Sequence, residues 1–122
     1  MAKQQVRVAA LGVVALLGAS AVVHCKKATP CRVTLTFADR PITGEGPDQT
    51  QALAHACGTH CVEHDPLVDG KFRVWRAAGG KGAGKRAEAI RSVPALKRYF
   101  DACTERCAKE AKDVKYQDCS QP

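Results

Sequence analysis

Apolar positions along the chain follow three different periods. Residues 8–23 are an unbroken run of Ala, Val, Leu and Gly with one Ser. Residues 32–37 alternate, with Val33, Leu35 and Phe37 on one face, which is the period of a half-buried strand. From residue 49 onward, apolar and cysteine positions recur every three or four residues, the helical period.

These periods predict an order of elements. Ala38-Asp39-Arg40-Pro41 is a turn signal, and Ile42-Thr43-Gly44 a short return strand, so residues 32–44 read as a β-hairpin. Gly44-Glu45-Gly46-Pro47 breaks the chain, and Asp48 can cap a helix over residues 49–64. Ala52, Leu53, Ala56, Cys57, His60 and Cys61 sit at helical spacing within it. Asp65-Pro66 reads as a cap followed by proline at the first helical position. Val68, Phe72 and Trp75 then line one face of a short second helix, with strand as the rival because residues 71–75 also alternate. Residues 79–84 form a glycine-rich basic loop. A last helical region starts near Lys85 and is interrupted at Pro94. It carries Leu96, Phe100, Cys103, Cys107 and Ala111 along one side, and ends in a polar tail over residues 114–122.

The apolar run at the start changes the picture first. Lys3 and Arg7 precede it with no acid, and small residues close it. A short basic region, an apolar stretch and a small-residue exit are the pattern of a secretory signal peptide. The run is slightly short for a membrane span, although tilt or thinning accommodates that, so an uncleaved anchor stays open. The exit reads Ala21-Val22-Val23-His24-Cys25. Here the sequence resembles bacterial lipoproteins, whose cleavage box ends in a cysteine. Val22, Val23 and Cys25 match that pattern, whereas His24 stands where Gly, Ala or Ser is usual. The resemblance covers residues 1–25. It implies that Cys25 becomes a lipidated N-terminus anchored in a membrane. Ala19-Ser20-Ala21 offers a competing site for free secretion.

Cysteine parity bears on the same point. The seven cysteines are Cys25, Cys31, Cys57, Cys61, Cys103, Cys107 and Cys119. An exported chain seldom keeps a free thiol, and lipid on Cys25 leaves six, enough for three disulfides. Cys57/Cys61 and Cys103/Cys107 are two Cx3C pairs, which place both sulfurs of each pair on one helix face. Antiparallel helices would join Cys57 to Cys107 and Cys61 to Cys103, leaving Cys31 for Cys119. The doubled Cx3C also resembles small chaperones of the mitochondrial intermembrane space, but only in spacing: 41 residues lie between Cys61 and Cys103, where those proteins have a short hairpin.

Composition explains why cross-links are needed. A chain of 122 residues with three Phe, two Tyr and one Trp can build only a modest core. The net charge of +7 is unevenly spread. Residues 39–69 hold six acids against one Arg, whereas residues 71–98 hold nine Lys and Arg against one Glu. The basic stretch, with Phe72 and Trp75 interleaved, marks Lys71, Arg73, Arg76, Lys81, Lys85 and Arg86 as an anionic-surface patch, against the blander reading of a solvated face.

Other candidate chemistry is weaker. In HACGTHCVEH, residues 55–64, Cys57, His60, Cys61 and His64 share a helix face, and His55 points away. With Cys103 and Cys107 they would form a zinc- or copper-type ligand set. In an oxidising compartment the cysteines pair instead, leaving His60 and His64 as partly exposed neighbours of the bridges. Residues 79–86 nearly match a phosphate-binding loop, but Arg86 replaces the required hydroxyl. The Gly44-Glu45-Gly46 break before an Ala-rich helix resembles the end of double-stranded RNA-binding domains, yet no lysine opens this helix. No C-x-x-C and no serine–histidine arrangement points to catalysis.

The sequence therefore predicts a signal peptide or membrane anchor over residues 1–24, a spacer over 25–30 and one cysteine-rich domain over 31–122. The fold class is α+β: a small disulfide-rich domain with an N-terminal β-hairpin followed by helices cross-linked through the two Cx3C pairs. The expected function is a non-enzymatic, cofactor-free envelope protein, lipid-anchored or freely secreted, acting as a binding or structural module. Its partners would be the membrane and an envelope protein or anionic surface, not nucleic acid. The alternative is an extracytoplasmic metal-binding or redox protein built on the Cys/His cluster.

Overall fold

The computed structural model describes residues 29–81 and 84–119; the apolar run and Cys25 lie outside them. Strands β1 (Cys31–Phe37) and β2 (Arg40–Gly46) form an antiparallel hairpin, with Cys31 opposite Gly46 and Phe37 opposite Arg40. Ala38 and Asp39 both take positive φ, 52° and 61°, the two-residue turn whose twist matches the flanking strands. The turn is thus shorter than the four residues expected from sequence. Arg40 and Pro41 belong to the return strand, which runs to Gly46, not Gly44. Proline is tolerated there because β2 is an edge strand.

A third strand, β3 (Lys112–Gln117), pairs antiparallel with the other side of β1, with a register shift between Thr34 and Thr36. The sequence predicts no strand here, and residues 114–117 fall within the polar tail expected over residues 114–122. The sheet order is β2-β1-β3, which places β1 in the centre. Its alternation then has a clear cause: Cys31, Val33, Leu35 and Phe37 are buried under the helices, while Arg32 and Thr34 face solvent.

Helix α1 (Gln49–His64) starts where Asp48 Oδ1 accepts a hydrogen bond from the Gln51 amide at 2.8 Å. It lies very close to β2. A Cβ on Gly44 would come within 2.5 Å of the Ala52 carbonyl oxygen and the Ala56 amide nitrogen, so only glycine fits. Ala52 and Ala56 are fully buried in the same contact. Asp65 ends α1 and caps α2 (Pro66–Ala77), accepting from the Val68 amide at 3.0 Å. After residues 82 and 83, which are not described, come α3 (Arg86–Ser92) and α4 (Pro94–Glu110), separated at Val93-Pro94 as expected.

Two core clusters result. One lies between the sheet and α1, built on Val33, Leu35, Phe37, Ala52, Ala56 and the Cys57–Cys107 pair. The other joins the helices through Val68, Phe72, Ile90, Leu96 and the Cys61–Cys103 pair. The α+β class, the N-terminal hairpin and the cross-linked helices are all present. Among the described residues no helix is long and apolar enough to cross a membrane.

Candidate functional site

Helices α1 and α4 run antiparallel and are bolted twice. Cys57 joins Cys107 with Cα atoms 5.8 Å apart, and Cys61 joins Cys103 at 5.9 Å. Both separations suit a disulfide. Cys31 joins Cys119 at 4.4 Å, tying the start of β1 to the second residue beyond β3. The sulfurs of Cys57, Cys61, Cys103 and Cys107 are therefore bonded to one another and are not thiolates. The six-residue ligand set is reduced to His60 and His64, and among the described residues no group of three or more metal-ligating side chains converges. Three closed bridges make this a small disulfide-rich domain of the extracytoplasmic type.

The two histidines separate sharply. His64 is exposed, but His60 is only 4% exposed, not partly exposed as expected from sequence. The cause is long-range: Phe37, at the end of β1, meets the His60 ring edge-on with centroids 5.1 Å apart. His60 Nδ1 is buried with no hydrogen-bond partner. Burial holds its pKa below the usual histidine range, and His64, Arg40 and Arg106 add to the depression while Asp65 opposes it. These groups share a polar pocket of about 410 Å³. Asp65 is committed elsewhere, to the Val68 amide and to Arg106 at 3.0 Å. His55 lies on the far side of α1, where its Nδ1 accepts from the Glu45 amide at 3.1 Å.

The basic stretch does not form one uniform patch. Arg73 and Arg86 both bind Asp69 and hold its carboxyl below the ordinary range. Arg86 also donates to the Val62 carbonyl and lies over the Phe72 ring, so it is an internal strut between α3, α1 and α2. Lys81 and Lys85 sit exposed in the loop. Lys71 and Arg76 remain directed at aromatic rings: Lys71 Nζ is 4.8 Å from the Tyr99 centroid and Arg76 Cζ is 5.3 Å from that of Phe72.

The structure adds two residues to this face. Arg98 stands 4.9 Å from the Tyr99 centroid and donates to its hydroxyl at 3.2 Å. Hydrogen bonds from Lys71 and Arg98 pull the Tyr99 phenol below its ordinary pKa. With Trp75, Val74 and Leu96, they line a shallow groove of about 270 Å³ between α2 and α4. Arg98 lies at the end of the basic run, so its charge was visible in the sequence; its meeting with Lys71 across Tyr99 was not. On the opposite flank, a larger, mainly apolar groove of about 580 Å³ runs between α1 and α4, lined by Leu53, Phe100, Ala108 and Tyr116.

No family model, curated protein or solved structure matches the chain. The functional reading rests on these surfaces.

Proposed function

We propose that the chain is a non-enzymatic envelope protein, exported, lipid-anchored through Cys25 and acting as a binding or structural module. The observation that carries this reading is the cysteine partition. Six cysteines are consumed in three bridges, which leaves Cys25, at the end of the apolar run, as the one cysteine outside them. An exported chain has little use for an unpaired thiol, and acylation removes it. The bridged seam supports a rigid module and argues against the metal or redox alternative, since its four sulfurs offer no thiolate.

Metabolic labelling with a fatty-acid analogue tests the anchor. The wild type takes the label and Cys25→Ser does not. Equal labelling of both removes Cys25 as the attachment point. Absence of label on either leaves secretion or an uncleaved anchor. Thiol counting on unreduced, chelated protein tests the module: no thiol should react within residues 31–119. Four thiols that react only after chelation removes a stoichiometric metal would restore the ligand-set reading.

A further inference from the structure

We infer that the outward face of α2, together with the first turns of α4, is a docking surface for an anionic phospholipid bilayer; this rests on the reading of the chain as an exported envelope protein. Leu67, Lys71, Val74 and the C-cap Ala78 follow one another at spacings of four, three and four, so they form a single stripe along α2 and its end. Leu67 is 53% exposed and Val74 69%, the two most exposed large apolar side chains among the described residues. Trp75 and Tyr99 border the stripe, each half-buried. The indole is seated by the chain itself: Gly80 packs against the ring so closely that a Cβ there would lie 2.3 Å from it.

The charge of this face is uncompensated. Of the cations on α2, α3 and the first turns of α4, Arg73, Arg86 and Lys97 are paired with Asp69 or Asp101, and among the described residues no ion pair engages Lys71 or Arg98. Two cations, Lys71 and Arg98, thus flank two amphipathic rings and an exposed aliphatic ridge, all around one groove. Trp and Tyr partition to the headgroup level of a bilayer, with the apolar ring inward and the polar edge in water. Lys and Arg side chains reach from there to lipid phosphates. The groove is too shallow to enclose a small ligand, and a broad anionic interface satisfies its apolar and cationic parts together.

Trp75 is the only tryptophan in the chain, so its emission reports on this face alone. The full-length protein is mixed with phosphatidylcholine vesicles, with or without phosphatidylglycerol, carrying brominated acyl chains. Flotation reads attachment by any part of the chain. Blue-shifted, quenched Trp75 emission reads this face. Quenching should require phosphatidylglycerol and should reverse as salt rises, because the screening length falls from about 10 Å at 0.1 M to about 3 Å at 1 M. Lys71→Gln with Arg98→Gln should lower the docked-to-undocked ratio about 30-fold, from roughly 1 kcal/mol for each basic side chain near an anionic surface. The salt series needs no variant and stands if the substitutions perturb folding. Flotation without quenching overturns the docking face and leaves the anchor intact. Equal quenching in both lipids overturns the anionic preference. Salt-sensitive quenching in a chain whose Cys25 takes no fatty-acid label supports the face and removes the lipid on Cys25.

Discussion

The two bridges of the α1–α4 seam should not contribute independently. Cys57–Cys107 spans 50 residues and Cys61–Cys103 spans 42, and the second is nested within the first. In the chain-entropy picture, closing a loop of either length alone stabilises by about 4 kcal/mol. Once one bridge is closed, the other closes only the four residues between the cysteines on each helix, a loop of about eight, worth about 2.5 kcal/mol. Replacing either bridge by an Ala pair should therefore cost about 2.5 kcal/mol in its loop term, while replacing both should cost about 6.5. The shortfall of about 1.5 kcal/mol between the double loss and the summed single losses is the quantity to measure, since packing lost with the buried sulfurs enters each variant once and largely cancels from the cycle. Keeping Cys31–Cys119 in all four proteins shortens every loop and trims this difference slightly. Urea unfolding of the oxidised proteins, fitted with a common slope, gives the four stabilities. Additivity to within about 0.3 kcal/mol would refute the nested-loop reasoning and place the stabilisation in native packing instead.

Further outcomes follow from single residues. His60 is held below its usual pKa, so the unfolded chain binds the proton more readily. Stability should be fully present above about pH 6.5, the ordinary histidine value, and should fall as pH drops from there toward the folded pKa. His60→Gln should flatten this pH dependence in urea titrations at pH 5 to 7, and an unchanged slope would assign it to another group. Gly44→Ala drives a methyl into the α1 backbone and should cost at least about 1–3 kcal/mol by overpacking, read as a fall in melting temperature. Arg86→Ala removes the donor to the Val62 carbonyl and the partner of Asp69, and should cost about 1–3 kcal/mol in denaturant unfolding. Arg73→Ala, exposed and on the same carboxylate, should cost no more than about 0.5 kcal/mol.

Local signals made much of the fold readable. Asp48 and Asp65 announced two helix starts because a capping carboxylate acts on amides two or three residues away. The Cx3C pairs announced the seam because i, i+4 spacing fixes a face regardless of what packs on it. Strand β3 was not readable for a matching reason: all six of its residues are exposed, so no buried face imposes alternation. It exists by pairing with β1 and by the bridge from Cys119 to Cys31 just beyond it. His60 was misplaced because its cover, Phe37, lies 23 positions earlier, and helical spacing carries no information about a strand end. The Lys71–Tyr99–Arg98 cluster was missed likewise: each member was visible, but their meeting depends on how α2 crosses the start of α4.

Where the cross-links fall also bears on how the candidate face is held. The bridges unite β1, Cys119 just past β3, α1 and α4, and neither α2 nor α3 contains a cysteine. The docking stripe on α2 is therefore positioned by other means. Phe72 is buried in the helical core. Asp65 joins the head of α2 to Arg106 of α4, and Asp69 joins its body to Arg86 of α3. Polar struts of this kind fix orientation more than they add stability, because each charge gives up hydration to make its contact. The rigid part of the molecule and its exposed aromatic-basic face are thus held by different chemistry. Reductant acts on the three bridges, whereas loss of Arg86 acts on how Lys71, Val74 and Trp75 are presented beside Tyr99 and Arg98.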